Sequence, residues 1–549
     1  MARRLVGLAP TFNGGLATGF ARSHHLLDIP LLEPQPTIVM SNCVHNQLES
    51  LGKRYLKATP DPKPGKIDFG LLLRICDALT AQVNEFYKPE FSFADYVRAK
   101  PGAVRKRFLR AYSEIVKGQR NFVKNSKISA FVKNERYFEE GKSPRMIMGR
   151  DPKFNVVYAR FVARFEDAFF KLEQVCNACD YRKTGEKFTR LYQKSSRMFE
   201  NDMSKYEASQ RYATLLMEYL VMRGSVPESE REDFRRVFAA KLVKGVRTGE
   251  GVSANFRCCR GSGDLDTSTG NGVINFITTA YFKVVNFCVY GPACKLDSCS
   301  CGCFDFVVKG DDSYGTVPAD FAGEFVNTYE WFGLEAKLID RPDGRQTEFC
   351  SGNFIRTAGG TYTYVQKLRK MITSVSTCIN RDVISNGWLA HYLRSLGDMY
   401  GVLYAGVPIY EDFAAMLKTA SSRYRINVNL VSGISYGAWE AFQHSHNTLK
   451  VDAMAETILD ISLANELTLP ELSALRESFQ VAIELPEHLQ RRCNLKSRSI
   501  TVDDFSYDLS EVVSLKDLDG ESKKFYKLLG ASHNRTETAL RKAFGSKTH

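Results

Sequence analysis

The run Val307-Val308-Lys309-Gly310-Asp311-Asp312-Ser313 sets two adjacent carboxylates just after an apolar stretch. A turn can be made more cheaply with one Asp and a Gly, because two adjacent carboxylates repel each other. Such a pair asks for positive charge. Two divalent cations held roughly 3.5–4 Å apart by carboxylates are the recurring device for in-line phosphoryl transfer. Mg²⁺ in particular prefers one or two carboxylates plus substrate phosphate oxygens to a full protein cage. A further carboxylate must then come from another element. The segment FENDMSKYEAS supplies it: Asp202 at a strand end would face the hairpin, and Glu207, further along the turn, would reach a bound sugar.

A second constellation lies in RGSGDLDTSTGNGVINF, residues 260–276. A Gly-rich loop opens into an apolar run, which leaves backbone N–H groups and hydroxyls free to meet a substrate. Asp264, Thr267 and Asn271 are spaced by three and four, so they share a face near a helix start. Together they offer the acceptors and donors that a ribose hydroxyl requires. The same residues have a second reading, in which Ser262 or Thr267 only caps the helix. Both stay open at this point.

These groups need elements to hold them. Apolar residues at Phe154, Val157, Phe161, Phe165, Phe169 and Leu172 predict a helix over 154–172. Residues 273–288 are apolar nearly all round and predict a deeply buried helix. FDFVV (304–308) reads as a strand, and NFIRT and TYTYVQ around Ala358-Gly359-Gly360 read as a hairpin. Beyond residue 380 the pattern turns largely helical. KATPDPKPGK, ending at Lys66, reads as a Pro-punctuated linker. The tail from Gly520 is basic and follows an acidic stretch with Asp503, Asp504, Asp508, Glu511, Asp517 and Asp519.

The chain has 549 residues and a net charge of +13, enough for several subdomains and suggestive of a polyanionic partner. From Val97 to Arg164 there are 18 Lys/Arg against 5 Asp/Glu, an excess equal to that of the whole chain. Aromatics (Phe108, Tyr112, Phe122, Phe131, Tyr137, Phe138) interleave with them. A phosphate-lined channel fits this band better than a merely solvated face. Fourteen scattered Cys without a signal peptide point to a reducing compartment, and no apolar run is long enough to span a membrane.

In order along the chain, Asp202-x4-Glu207, Ser262-Gly263-x3-Thr267-x3-Asn271 and Gly310-Asp311-Asp312 resemble palm motifs A, B and C of viral RNA-dependent RNA polymerases of positive-strand RNA viruses. The stretch from Phe131 to Asp167 is similar to motif F of the tombusvirus-like members, FGLEAKLID (332–340) to motif D and TEFCSGNF (347–354) to motif E. VHNQLESL (44–51) and GVPIYEDFAAML (406–417) resemble the family's N-terminal and thumb segments, so the likeness covers roughly residues 40–420.

The resemblance implies an α+β right-hand polymerase with fingers, an antiparallel palm sheet and a helical thumb. Its divisions would be 1–65 (N-terminal extension and fingertip contact), 66–190 (fingers), 191–355 (palm, with a finger insertion near 225–258), 356–500 (thumb) and 501–549 (tail). It implies two Mg²⁺ ions, with Mn²⁺ as a substitute, on Asp202 and Asp311 with Asp312 assisting. Lys133, Arg145 and Arg150 would meet the triphosphate, and Lys337 would stand at the general-acid position. The implied partners are single-stranded template and nascent RNA, nucleoside triphosphates, and a membrane-anchored viral or host replication protein. The implied setting is the host cytoplasm, at membrane-associated replication complexes reached through that partner. Initiation would need no primer.

Three departures stand out. Glu207 occupies a position usually held by Asp, Glu200 and Asn201 are polar for a central strand, and Lys309 replaces a small polar residue. Two rivals remain: a reverse transcriptase, against which the 262–271 pattern argues, and a non-catalytic RNA-binding replication factor, which has no use for three clustered carboxylates. Cys294, Cys299, Cys301 and Cys303 mismatch structural-zinc spacing and read as reduced thiols, as do Cys176 and Cys179. His24 and His25 read as solvent-exposed, and Trp331, Trp388 and Trp439 as core.

Overall fold

The strand Met198–Met203 carries Glu200 and Asn201 in its middle yet is buried over most of its length, because it runs inside a sheet. The structure, a computed structural model, describes residues 24–25, 38–56, 58–100, 102–118, 126–137, 141–296, 301–431, 436–445, 450–480, 515–532 and 537–545. Phe122, Phe138, Cys299 and the acidic positions 503, 504, 508 and 511 lie outside the described residues.

The architecture is mixed α and β. Its central sheet has four antiparallel strands in the order Ala336–Arg341, Met198–Met203, Asp312–Thr316, Phe306–Lys309. The polar pair in the inner strand is fully engaged. Glu200 accepts from Arg341 (2.5 Å) and from the Glu348 amide (2.8 Å), and Asn201 donates to Ser313 (3.3 Å). One face of the sheet takes the helix Thr267–Phe287 through Phe199–Phe282 and Phe276–Phe306 ring contacts. The other takes the helix Tyr181–Lys194, whose Phe188 stacks on Phe354 of the hairpin Gly352–Thr357/Thr361–Gln366 at 4.0 Å.

A second four-stranded sheet runs Met146–Arg150, Ile128–Val132, Val243–Thr248, Ser253–Arg257, with its middle pair parallel. Alternating burial in Ile128–Val132 and Met146–Arg150 marks one packed and one open face. Beyond Leu368 the chain is mainly helical, and its Leu396, Tyr404 and Phe413 share one core with Phe188, Tyr314 and Phe354.

Several expectations are refined. The expected 154–172 helix spans Pro152–Phe169, with Asp151 capping the Lys153 amide and Pro at the first turn. The helix expected from residue 273 begins at Thr267: its first two turns are polar, so no apolar periodicity announces them. The expected strand 304–308 is Phe306–Lys309, while the hairpin strands fall where the pattern put them. The Pro-rich stretch is a packed strap, since Arg211 donates to the Pro60 carbonyl (2.8 Å) and Lys63 N to the Trp331 carbonyl (2.8 Å). The tail forms helices Gly520–Ala531 and Glu537–Gly545, tied down by Phe525 on Tyr212, Phe544 on Phe69 and Arg235 over Tyr526. His24 and His25 pair as a short strand with Thr377–Cys378. The three Trp are partly buried against the cores. No helix among the described residues is long and apolar enough to cross a membrane.

What seats the loop before the Thr267–Phe287 helix is a buried set of charges. Arg150 donates to Asp264 (2.9 Å) and Lys244 bonds its other oxygen. Lys241 contacts Glu218 (2.7 Å) and Asp266, Arg260 binds Glu218, and Tyr158 donates to Asp266 (2.6 Å). The charged side chains in this set are at most 2% exposed. Two glycines make room: a Cβ on Gly270 would stand 2.6 Å from the Arg260 guanidinium, and one on Gly261 would stand 2.9 Å from Asp264.

Two stability measurements follow. A methyl on Gly185 would meet the Tyr362 carbonyl oxygen at 2.2 Å, so Gly185→Ala should cost about 2 kcal/mol or more by urea unfolding. Gly52→Ala, where the methyl meets nothing, should be near neutral; equal effects would refute the close helix–hairpin approach. Asp264→Asn strands Lys244 and Arg150 without their counter-charge and should lower stability by about 3 kcal/mol. Wild-type stability with only nucleotide binding weakened would instead make Asp264 a direct substrate contact.

Candidate active site

Gly310 takes φ +60° at the first position of the two-residue turn between Phe306–Lys309 and Asp312–Thr316. A Cβ there would meet nothing within 4 Å, so backbone conformation and not space calls for glycine. The turn carries Asp311, and Asp312 opens the next strand. Because Ser313 pairs with Asn201, Asp202 on the neighbouring strand lies level with Asp312. The three carboxylates thus gather at one end of the central sheet.

Their electrostatics record the crowding. Burial first, then the charges of Asp312 and Glu207, push the Asp311 carboxyl up to about 7, with Arg145 opposing. Burial also raises Asp312, and the charge of Asp202 adds to it; the Cys350 thiol, Lys370 and Lys309 pull the other way. The sheet end holds more negative charge than its neighbours balance.

The helix Thr267–Phe287 holds the turn. Asn275 donates to the Gly310 carbonyl (3.1 Å) and the Asp312 carbonyl (3.0 Å), and Thr279 donates to Asn275 Oδ1 (3.0 Å). One helical turn earlier, Asn271 is 7% exposed and its Oδ1 has no hydrogen-bond partner. Its carbonyl accepts from Tyr206 (3.3 Å), the neighbour of Glu207, so these two segments adjoin. Lys309 pairs with Glu440 of the C-terminal helical region (2.8 Å), and Glu440 also accepts from the Ala178 amide (3.1 Å).

Cations approach from the second sheet. Arg145 is half-exposed, and Asp311 and Glu207 lie within its field. Glu135 holds it at 3.6 Å and Lys133 at 2.8 Å, so one carboxylate orients both. Lys337 is exposed and pairs in register with Asp202 across the adjacent strand.

Not every expected residue turns this way. Arg150 faces inward, with its three nitrogens on Asp264, the Ser126 carbonyl and the Lys241 carbonyl. Asp264 is saturated by Arg150, Lys244 and the Gly261 amide. The Thr267 hydroxyl lies 2.8 Å from each of the Gly261 and Asp264 carbonyls and so ties the loop together, while the helix N-cap is Asp266, which makes no side-chain cap bond. Ser262 is half-buried in the same loop, its carbonyl accepting from Met148 N (2.7 Å). Asn275, Cys350, Lys370 and Glu135 escaped the sequence reading. Only Asn275 left a usable signal, its spacing of four from Asn271.

A family profile described as viral RNA dependent RNA polymerase matches residues 24–477. The RNA-directed RNA polymerase of Groundnut rosette virus (strain MC1) is 22% identical over 435 residues, 75% of this chain and 46% of that protein. Those of Tobacco necrosis virus (strain D) and Cymbidium ringspot virus are 23% identical over 381 residues and 21% over 417. These alignments take in 66% and 68% of this chain, and 50% and 47% of the two relatives. The chain therefore spans half or less of the length of these relatives. A profile running through both sheets, the carboxylate turn and most of the C-terminal helices leaves one assignment: this chain belongs to the viral RNA-dependent RNA polymerase family.

Proposed function

We propose that this chain extends RNA on an RNA template, joining the nascent 3′-hydroxyl to the α-phosphate of a ribonucleoside triphosphate and releasing pyrophosphate. The observation that carries the reading is the convergence of Asp202, Asp311 and Asp312 at one sheet end, with Arg145 in their field. In this reading the central sheet is the palm of a right hand, the basic second sheet and its helices are the fingers, and the helices beyond residue 368 are the thumb. The proposed divisions remain 1–65, 66–190, 191–355, 356–500 and 501–549, with initiation independent of a primer.

The donor set suits hard divalent cations, Mg²⁺ first and Mn²⁺ next: oxygen ligands only, with two carboxyls raised by burial and neighbouring charge. Asp202 and Asp311 would hold them with Asp312 assisting; bound there, such ions activate the hydroxyl and neutralise the leaving group. Lys133 and Arg145, oriented by Glu135, would grip the triphosphate. Lys337 would donate a proton to the departing pyrophosphate. The unpaired Asn271 Oδ1 would accept from a ribose hydroxyl, with Glu207 beside it. Arg150, Asp264 and Thr267 would act as positioning residues for the 260–266 loop and the helix start that follows it.

Asp202→Ala and Asp311→Ala should reduce nucleotide incorporation to background while leaving RNA binding nearly intact, because basic side chains supply that affinity. Retained incorporation in either variant would sink the carboxylate assignment. Incorporation on an RNA template from ribonucleotides, deoxynucleotides or neither separates this reading from a reverse transcriptase and from a non-catalytic RNA-binding factor. Asn271→Ala should lower ribonucleotide incorporation far more than deoxynucleotide incorporation, shrinking the preference by about 1–3 kcal/mol. Equal losses for both substrates would confine Asn271 to the helix.

A further inference from the structure

The cysteines expected to be scattered thiols are not scattered in three dimensions. Cys288, Cys294, Cys301 and Cys303 bring their sulfurs within 4.8 Å of one another. Cys288 closes the helix Thr267–Phe287 and was absent from the sequence reading of this segment; Cys299 lies outside the described residues. We propose that these four sulfurs form a closed structural Zn²⁺ site that joins the end of that helix to the strand leading into Asp311 and Asp312.

The geometry supports a single ion. Zn–S bonds of about 2.3 Å set tetrahedral S···S distances near roughly 3.8 Å. Three sulfur separations, 3.5 Å (Cys294–Cys303), 3.1 Å (Cys288–Cys301) and 3.0 Å (Cys301–Cys303), fall below that spacing, and all six lie within 4.8 Å. Sulfurs this close leave no room for an iron–sulfur cubane. All-thiolate tetrahedral ligation selects zinc among common hard and borderline ions.

The backbone is shaped for it. Cys288 leads into a short turn, Gly291–Ala293, with the Gly291 amide donating to the Cys288 carbonyl (2.9 Å), and Cys294 follows at once. Gly302 takes φ +70° between Cys301 and Cys303, and a Cβ there would stand 2.7 Å from Asp305. Between Cys288 and Phe306 the described residues hold no regular element longer than that three-residue turn, so backbone hydrogen bonding alone holds little of this segment. Cys294 and Cys303 are buried in the same apolar cluster as the Thr267–Phe287 helix. The proposal is independent of the polymerase reading.

Cys301 is disulfide-bonded in this structure, so the metal-bound state is the reduced one. A phosphine reductant gives two electrons to that disulfide and is itself oxidised, taking oxygen from water. Each thiol then loses its proton to buffer as the metal binds.

The test uses the full chain purified under phosphine and dialysed free of loose metal. Elemental analysis should find about one zinc per chain, released by a mercurial reagent. Cys288→Ser and Cys303→Ser should each fall below roughly 0.1 zinc per chain, with Cys43→Ser, outside the cluster and at a helix N-cap, unchanged. Should those variants fail to fold, Co²⁺ exchanged into the wild-type chain decides, through the thiolate charge-transfer band and intense visible bands of a tetrahedral site. A reduced chain without zinc, iron in its place, octahedral Co²⁺ spectra, or zinc retained in both Ser variants would each overturn the proposal.

Discussion

Four cations and three carboxylates buried together at the 260–266 loop are the constraint on which the rest of the site depends. Arg150, Lys241, Lys244 and Arg260 face Glu218, Asp264 and Asp266, all nearly excluded from water. Buried ions add little net stability over a well-packed apolar alternative, but removing one partner leaves an uncompensated charge. The arrangement therefore tolerates few geometries. It draws together Arg150 of the second sheet, Glu218 and Lys241 of the intervening helices, and the loop itself. With the loop seated, the Thr267–Phe287 helix starts where it does, and Asn271 and Asn275 arrive one turn apart beside the carboxylates.

At the sheet end the balance is opposite. Asp202, Asp311, Asp312 and Glu207 stand close enough for mutual repulsion and burial to raise the Asp311 and Asp312 carboxyls. Three nearby cations are already committed: Lys309 to Glu440, Lys133 and Arg145 to Glu135. A region rich in satisfied ion pairs thus surrounds one spot that is short of positive charge. Satisfied charges fix geometry, and the unsatisfied spot is where a cation or a substrate phosphate gains most.

The central sheet is supported from several directions by segments distant in sequence. The hairpin and Tyr181–Lys194 helix cover one face and Thr267–Phe287 the other, while Glu537–Gly545 braces the helix Phe69–Asn84 and Gly520–Ala531 the helix Tyr212–Ser225. The cysteine cluster lies at the junction of the Thr267–Phe287 helix and the carboxylate strand, where the chain has little regular structure of its own.

By itself the sequence determined what local spacing encodes. The Asp311–Asp312 turn, the Gly352–Gln366 hairpin, the helix around 154–172 and the ordered motifs were legible, because turns and periodicities involve residues a few positions apart. Glu200 and Asn201 looked wrong for a strand only because their partners, Arg341 and Ser313, lie more than a hundred residues away. Arg150 was taken for a substrate contact from the motif resemblance and Asp264 from its spacing with Thr267 and Asn271, while their 114-residue pairing was decided by how the second sheet meets the loop. The first turns of the Thr267–Phe287 helix, the packing of the tail and the recruitment of Cys288 to the other cysteines were likewise decided by tertiary structure. Each depends on which distant surface supplies the missing counter-charge, apolar contact or fourth sulfur, and no short-range pattern carries that.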